Sequence, residues 1–204
     1  NNNIDDYDFV VGPLTNDLFD YFVSSVPLSD TKIVRTLGKK SINSKNVINT
    51  IPHDSIYFNT VIEKVKNDTL ESSKFIISDS KKINKIEKLK KIFPESQQFY
   101  SQINDSGIDT KTLVFEDLDS TFVDGRNIVF LETDDQGFVS NVTSILNSFI
   151  SEEQEIVLYT TNKNKAFEGT NISNTFLSNL KFQYASTNKV IDNNMDQNFI
   201  NEFM

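Results

Sequence analysis

The sequence predicts an α/β fold in which parallel sheets are flanked by helices. Short, continuous apolar runs such as residues 127–131 and 156–160 alternate with longer segments whose apolar residues recur at helical spacing. Strands that are apolar on both faces are typical of parallel sheets covered by helices on each side. The chain has 204 residues, of which 37% are hydrophobic, and this is enough for one large domain or two small lobes.

The first third of the chain predicts two strands and two helices. Residues 8–11 form an apolar run that a Gly-Pro pair closes, and residues 32–37 form a second run. Thr15 is a suitable cap for the first helix, and Asp54 or Ser55 for the second. The apolar residues at helical spacing are Leu18, Phe19, Phe22, Val23 and Val26 in the first helix, and Phe58, Val61, Ile62 and Val65 in the second.

Two clearer strand–helix units follow. Residues 75–77 form a strand, and the helix after it ends at Pro94. Residues 127–131 form the most apolar strand, and residues 132–136 lead from it into another helix. The apolar residues of these two helices are Ile83, Ile86, Leu89, Ile92 and Phe93, and then Phe138, Val139, Val142, Ile145, Leu146 and Phe149.

The remaining segments give weaker signals. Residues 98–100, 112–115 and 182–184 are short strand candidates. Residues 161–178 are rich in Asn, Thr and Ser, and we expect a long surface loop there. A terminal helix is predicted from the spacing of Met195, Phe199, Ile200 and Phe203.

Composition excludes several classes of function. The formal net charge of -9 makes nucleic acid and anionic membranes poor partners. Cysteine is absent, and His53 is the single histidine, so no cysteine or multi-histidine metal site can be assembled within this chain. No apolar stretch approaches the roughly 20 residues of a membrane-spanning helix. We therefore expect no enzyme activity, no cofactor, no metal and no membrane insertion.

Three segments, taken in order, resemble the type I periplasmic-binding fold of bacterial solute-binding proteins and receptor ectodomains. Residues 9–13 match the strand of that family that ends in a Val-Gly-Pro-like turn. Residues 50–54 match its Thr-Ile-Pro-Xaa-Asp-like crossover, and residues 76–80 match a second-lobe strand that ends in an Asp-Ser-like turn. Residues 127–139 and 176–186 are similar to envelope proteins of the Bacteroidetes group, in which such a domain follows LysM repeats. No LysM repeat is present here, so peptidoglycan binding is not carried over.

The resemblance implies a division into two lobes. Residues 1–70 would form an incomplete first lobe, residues 71–190 most of the second, and residues 191–204 the start of the return helix toward the first lobe. Because the strand–helix units that open the family's first lobe are not present before residue 9, we expect this chain to be an internal piece of a longer protein. A hinge is expected near residues 52–54 and 68–73.

The resemblance also implies a function. We expect a non-enzymatic domain, like the substrate-binding component of an ABC transporter, that binds a small polar molecule such as an amino acid between its lobes. The expected location is the periplasm or cell envelope of a Gram-negative bacterium. The alternative is a ligand-less interaction or structural module that contacts an envelope protein, linked to peptidoglycan-binding repeats outside this chain.

Candidate binding residues follow from the position of ligand sites in parallel sheets. Ligands bind beyond the carboxyl ends of the strands, where the strand order reverses. The candidates at such positions are Gly12, Pro13, Leu14, Thr15, Arg35, Thr36, Ser78, Asp79, Ser80, Asp134 and Asp135. The competing interpretation is that these are ordinary strand-to-helix turns, in which Ser, Thr and Asp serve as helix caps.

Other residues invite enzymatic interpretations that we consider weaker. The acidic group Glu132, Asp134 and Asp135 could hold a divalent cation or form the acidic motif of a nucleotide-sugar glycosyltransferase, but helix capping explains it more simply. Asp79 resembles the phospho-acceptor of receiver domains, without the accompanying acidic pair and lysine. His53 is expected to be a crossover residue. The lysines expected to form a solvated helix face are Lys81, Lys82, Lys85, Lys88, Lys90 and Lys91.

Overall fold

The computed structural model describes residues 4–25, 30–36, 44–79, 83–113, 118, 121–122 and 124–187. It confirms the predicted α/β class, because both sheets are parallel in every described pairing and are accompanied by helices. The chain divides into a smaller unit, Asn1–Tyr57, and a larger unit, Phe58–Met204. No helix in the described ranges is both long and apolar enough to cross a membrane.

The smaller unit contains a three-stranded sheet in the order β1-β2-β3. A 3-10 helix at Ile4–Asp6 precedes β1, and helix α1 connects β1 to β2. The bounds are β1 Phe9–Val11, α1 Asn16–Ser25, β2 Lys32–Arg35 and β3 Val47–Asn49. Strand β3 was not predicted, because a run of three residues between polar neighbours carries almost no periodicity.

The two faces of this sheet differ in exposure. Val10 lies opposite Ile33 in the register, and Ile33 lies opposite Val47, so these three side chains share the face that α1 covers. On the other face Val11, Val34 and Ile48 form a row across the strands. Val11 is 67% exposed and Ile48 43% exposed, so this second face is open to solvent.

The larger unit contains the remaining elements around a five-stranded sheet in the order β5-β4-β6-β7-β8. Helix α2 crosses the division, since its first four residues belong to the smaller unit. The bounds are α2 Asp54–Lys66, β4 Ser73–Ser78, α3 Ile83–Ile92, β5 Gln97–Tyr100, β6 Gly125–Glu132, α4 Gln136–Ser148, β7 Gln154–Thr160, α5 Asn174–Asn179 and β8 Gln183–Tyr184.

Alternation along the central strands divides the core of the larger unit into two parts. Phe75 and Ile77 of β4 point to one side of the sheet, where they meet residues of α4, and Ile76 points to the other side, where it meets α2 and α3. The α4 side contains Phe138, Val139, Val142 and Leu146. The opposite side contains Val61, Ile62, Val65, Ile86 and Leu89. The larger unit is therefore a helix–sheet–helix sandwich.

The strand order creates a switch point. Counted from the first strand of the sheet, the order is 2-1-3-4-5, which is that of doubly wound, flavodoxin-like sheets. After β4 the chain moves to one side to form β5, and it then returns past β4 to form β6. The connections diverge above the carboxyl ends of β4 and β6, where such sheets bind their ligands.

Of three further predictions about local structure, one is wrong and two fall partly or wholly outside the described residues. Residues 161–178 do not form a plain surface loop, because a 3-10 helix at Lys165–Phe167 and helix α5 fall within them, and Phe167 and Ile172 are buried. The candidate strand 112–115 lies partly outside the described residues, and residues 112 and 113 are not in a strand. The predicted terminal helix lies wholly outside the described residues.

Candidate functional site

The switch point of the larger unit is occupied by a buried hydrogen bond between two strand ends. Asp79 directly follows β4 and Thr133 directly follows β6, and each is 2% exposed. The Thr133 hydroxyl donates to Asp79 Oδ2 at 2.7 Å and accepts from the backbone N–H of Asp135 at 3.0 Å. These contacts fix the carboxylate of Asp79 at the point where the connections diverge.

A lysine from the β5–β6 connection balances the charge of Asp79. The ammonium of Lys111 lies 3.7 Å from Asp79 Oδ2 and also donates to Asp109. Burial alone would lower the pKa of Lys111, but the Asp109 hydrogen bond and the charges of Asp79, Asp109 and Asp135 outweigh burial, so the pKa rises above 10.5. Lys111 is therefore held as a cation beside the buried carboxylate.

Glu132, the last residue of β6, is the second buried carboxylate at this edge. It is 2% exposed, and its Oε1 accepts from the backbone N–H of Thr161 at 2.6 Å. Its Oε2 accepts from Lys85 on α3 at 3.1 Å. The prediction that these lysines form a solvated face is therefore wrong for Lys85, because β6 ends in a buried acid beside this helix. Lys90 is half-buried and donates to the carbonyl of Ser96, and Lys81 and Lys82 lie outside the described residues.

Helix capping explains the two aspartates that follow. Asp135 is the N-cap of α4, and its Oδ1 accepts from the backbone N–H of Phe138 at 2.9 Å, as predicted. Asp134 Oδ1 accepts from the side-chain amide of Asn164 at 2.8 Å. The same amide also donates to the carbonyl of Thr133 at 2.8 Å. Asn164 was missed in the sequence analysis, because it lies in a stretch where asparagine is common.

The structure describes one of the two serines in the Ser-Asp-Ser turn that follows β4. Ser78 ends β4, is fully buried, and its hydroxyl donates to the carbonyl of Asp79 at 2.7 Å. It therefore supports the turn instead of presenting its hydroxyl to a ligand. Ser80 lies outside the described residues.

Two further hydroxyls at this edge were not predicted. Ser101 directly follows β5 and is 5% exposed, and Thr161 directly follows β7 and is fully buried. The side-chain oxygens of both have no hydrogen-bond partner among the described residues. Their position one residue beyond a strand end was the available signal, and it was overlooked because neither strand was followed by an acidic residue.

The candidates from the smaller unit form a separate group. Gly12 has a φ of 101°, which favours glycine, and its N–H donates to the carbonyl of Val34 at 3.0 Å. Leu14 is 65% exposed, and Pro13 is half-buried. The carbonyl of Thr15 accepts from the N–H of Phe19 as α1 begins. This segment joins β1 to α1.

Arg35 and Thr36 at the end of β2 serve the packing of the smaller unit. The guanidinium of Arg35 donates to Asn16 Oδ1 at 2.7 Å and lies 4.9 Å from the ring centre of Phe19. It also lies 3.9 Å from Asp20, and Arg35 is only 1% exposed. The carbonyl of Thr36 accepts from the hydroxyl of Thr50 at 3.1 Å. Arg35 is thus an anchor for α1 on the sheet.

Neither His53 nor the acidic group after β6 belongs to a metal site among the described residues. His53 is exposed just before α2, and its Nδ1 lies 2.8 Å from the hydroxyl of Ser55. Within the described part of the chain, no group of three or more His, Cys, Asp or Glu side chains could hold a metal ion. Glu132, Asp134 and Asp135 point to different partners instead of one centre.

Two cavities of the larger unit are lined by described residues. One, of about 270 Å³, is lined by residues of α2, β7 and β8, with Val61 and Tyr159 at its apolar wall. The other, of about 280 Å³, lies at the amino ends of β4 and β6 and contains Arg126 and Glu71. Neither includes a predicted binding residue.

The structure thus gathers part of the predicted set at one place. Ser78, Asp79, Asp134 and Asp135 lie at the carboxyl edge of the five-stranded sheet, where Lys85, Lys111, Glu132, Thr133, Thr161 and Asn164 contact one another or these residues. Gly12, Pro13, Leu14, Thr15, Arg35 and Thr36 belong to the smaller unit. Comparison of the chain with protein-family models, curated proteins and solved structures finds no match.

Proposed function

We propose that this chain is a non-enzymatic ligand-binding domain of the cell envelope, with the plan of a type I periplasmic-binding protein. In this proposal a small polar molecule binds at the carboxyl edge of the five-stranded sheet. The supporting observation is the run of polar side chains at four neighbouring strand ends, from Ser101 through Asp79 and Thr133 to Thr161. It lies at the switch point that doubly wound sheets use for their ligands.

The two hydroxyls without a described partner support a binding role at this edge. A buried hydroxyl that makes no hydrogen bond costs about 1–3 kcal/mol of stability. Among the described residues Ser101 Oγ and Thr161 Oγ1 have no partner, and a ligand with hydrogen-bonding groups that reached them would remove this cost. In this proposal the hydroxyls of Ser101 and Thr161 form hydrogen bonds with the ligand.

Strand spacing sets the size of the ligand. Ser101 follows β5 and Thr161 follows β7, and the sheet places β4 and β6 between them. With neighbouring strands about 4.8 Å apart, the two hydroxyls are separated by roughly 14 Å. A single amino acid reaches only one of them, whereas a short peptide or an oligosaccharide reaches both.

The state of the carboxylates supports binding over catalysis. Asp79 is hydrogen-bonded by Thr133 and faces Lys111, and Glu132 is paired with Lys85. A carboxylate that acts as general base or nucleophile needs an oxygen within hydrogen-bond reach of the substrate. Here Lys111 and Lys85 lie against the carboxylates of Asp79 and Glu132 and neutralise their charge. Neutralised carboxylates are compatible with a binding site.

The same contacts favour a second candidate, a ligand-less interaction or structural module. Asp79, Glu132, Asp134 and Asp135 all make hydrogen bonds or ion pairs within the larger unit. If these contacts serve only to hold strand ends and caps, the edge needs no ligand.

Thermal-shift screening distinguishes the two candidates. The chain would be screened against amino acids, di- and tripeptides, sugars and muropeptides. A ligand at one hundred times its Kd adds about 2.7 kcal/mol of stability, which raises Tm by several degrees. Ser101→Ala and Thr161→Val should each reduce that shift without lowering the Tm of the free protein. Ser106→Ala and Thr170→Val are matched changes at exposed sites and should leave the shift intact.

Two results would count against ligand binding here. A complete absence of shifts across the screen would favour the ligand-less module. A shift that survives both Ser101→Ala and Thr161→Val would place the ligand somewhere other than this edge.

A further inference from the structure

A cavity of about 270 Å³ is lined by one flank of helix α2 and by the last two strands of the larger sheet. Helix α2 contributes Thr60, Val61 and Lys64. The sheet contributes Tyr159 of β7, and residues 183–185 at and just after β8. All of these residues belong to the larger unit, and none is a member of the polar set at the carboxyl edge. We call this space the α2 cavity.

The α2 cavity exists because the sheet ends there in a short strand followed by a small side chain. Gln183 of β8 lies in register with Tyr159 of β7, so both side chains point to the side of the sheet that α2 covers. Ala185 packs against the same part of the core. Its methyl group leaves open the space that a larger side chain would fill.

The floor of the cavity is apolar and uncharged. Val61 is 3% exposed and Tyr159 is 1% exposed. The hydroxyl of Tyr159 is hydrogen-bonded to Arg126, and burial raises the pKa of Tyr159 above 10.0 more than Arg126 lowers it. The phenol is therefore neutral at physiological pH, and the ring is the part of this side chain that remains for a ligand. Ligand sites in proteins commonly combine an apolar wall of this kind with a few polar groups.

The rim of the cavity carries one cation. Lys64 is exposed, and it is the single charged residue among those that line the cavity. Gln183 is half-buried and adds a side-chain amide. Among the residues that the structure describes, neither the ammonium of Lys64 nor the amide of Gln183 has a hydrogen-bond or ion-pair partner. One positive charge and one amide suit a ligand that has a single negative charge and accepts hydrogen bonds.

The volume of the cavity sets the size of the ligand. An apolar cavity of about 150 Å³ holds one benzene ring. The α2 cavity is larger by the space of about four water molecules, at roughly 30 Å³ for each. It therefore takes a phenyl ring with a short chain. The rings of Tyr159 and Tyr184 favour an aromatic group, because aromatic pairs attract each other beyond the area that they bury.

We propose that the α2 cavity binds a small aryl carboxylate, with the ring against Val61 and Tyr159 and the carboxylate at Lys64 and Gln183. A dianion such as a phosphate monoester would find only one cation among the lining residues, and an amine would be repelled by that cation. The proposal does not depend on the ligand site at the carboxyl edge, because that site shares no residue with the cavity.

Methyl-alanine NMR shows where a ligand binds. The chain contains two alanines, Ala185 at the cavity and Ala166, which is buried on the α4 side of the core. The intact chain, labelled with carbon-13 at the alanine methyl groups, would be titrated with 3-phenylpropionate. The Ala185 signal should shift and saturate, and the Ala166 signal should stay in place. We expect a Kd of about 1 mM or below, which is ordinary for a ligand of this size.

An amine of similar shape tests the role of charge. The chain should bind 3-phenylpropylamine at least about tenfold more weakly than 3-phenylpropionate, because Lys64 repels the first and attracts the second. Lys64→Met should reduce this preference at least about fivefold. Lys66→Met removes another exposed lysine from the last turn of α2, outside the cavity, and should change the preference less than about twofold.

Ala185→Leu tests the position of the ligand independently of charge. The longer side chain should fill the cavity and weaken binding of 3-phenylpropionate at least about tenfold, measured by saturation transfer to the signals of the probe. Far-UV circular dichroism of the variant shows whether its fold is retained.

Four results would overturn the proposal. The Ala185 signal could stay in place throughout the titration, or the Ala166 signal could move with it. The amine could bind the original chain as tightly as the acid. Lys64→Met and Lys66→Met could have equal effects, which would reduce the preference to net charge. Finally, the probe could shift Ala185 only in a Phe199→Gln, Phe203→Gln variant, which would identify a later part of this chain as the occupant.

Discussion

The hydroxyl of Thr133 donates a 2.7 Å hydrogen bond to the carboxylate of Asp79, and both side chains are almost completely buried. The bond joins the ends of β4 and β6, the two central strands between which the connections diverge. A buried carboxylate needs such donors, because leaving it without them costs more free energy than the bond itself contributes. A substitution of Thr133 therefore tests how much this hydrogen bond contributes to the stability of the larger unit.

Thr133→Val should destabilise the protein by about 1–3 kcal/mol. The substitution keeps the shape of the side chain but removes the donor to Asp79 and the acceptor for the N–H of Asp135. Urea unfolding followed by circular dichroism measures the change. Thr170→Val makes the same chemical change at an exposed position and should alter stability by less than about 0.5 kcal/mol. Equal stabilities of the two variants would contradict a supporting role for Thr133.

Lys111 should contribute to the loss of stability in alkali. Its pKa in the folded protein is raised above 10.5, so the protonated form is favoured by folding. This contribution is fully present below pH 10.5 and is lost as the pH rises through the folded-state pKa. Lys111→Met should therefore show a smaller fall in urea midpoint between about pH 9 and about pH 11.5 than the original chain.

A lysine outside the network provides the control for this pH dependence. Lys165 is exposed, and Lys165→Met should leave the fall in urea midpoint unchanged. If Lys111→Met and the original chain lose stability in parallel, the ion pairs of Lys111 with Asp79 and Asp109 do not favour the folded state.

Phe130→Ala should be among the most damaging changes to the larger unit. Phe130 is fully buried and stacks on Phe93 at a ring separation of 5.4 Å. Removing a buried phenyl ring costs about 3–5 kcal/mol, because transfer energy is lost and a cavity remains. Phe9→Ala removes the same ring from a side chain that is 62% exposed, and should cost less than about 1 kcal/mol. Chemical denaturation of both variants gives the comparison.

Arg35→Lys should loosen the smaller unit despite keeping the charge. The guanidinium donates to Asn16 and lies over the ring of Phe19, and an ammonium cannot reproduce its planar fork. We expect a loss of about 1–2 kcal/mol in the local opening free energy of β2, measured by hydrogen exchange with mass spectrometry. Lys45→Arg, at an exposed position, is the reciprocal control and should leave exchange in β2 unchanged.

The sequence was sufficient to predict the sheet class and most of the central strands. Val129, Leu131, Ile156 and Leu158 lie in unbroken apolar runs, which only a sheet covered on both faces can bury. The cap at Asp135 was also predictable, because its contact with Phe138 is local and joins residues three positions apart in the sequence.

The parts that escaped prediction depend on contacts between distant residues. Lys85 was assigned to a solvated face because α3 is rich in lysine, but its partner Glu132 is 47 residues away. Ser101 and Thr161 directly follow predicted strands, but that they share one edge with Asp79 and Thr133 depends on the strand order. Phe167 and Ile172 were hidden in a polar segment, because two apolar residues in a short helical turn give no usable period.

The uncovered side of the three-stranded sheet has a practical consequence for handling this protein. Phe9, Val11 and Ile48 form an exposed apolar face next to the edge strand β1. Exposed apolar strands of this kind promote the association of one molecule with another. Mutual repulsion keeps molecules apart only while the acidic groups are ionised. Since the isoelectric point is about 4.6, mildly acidic buffers would remove this protection and bring on precipitation, which Val11→Lys would delay.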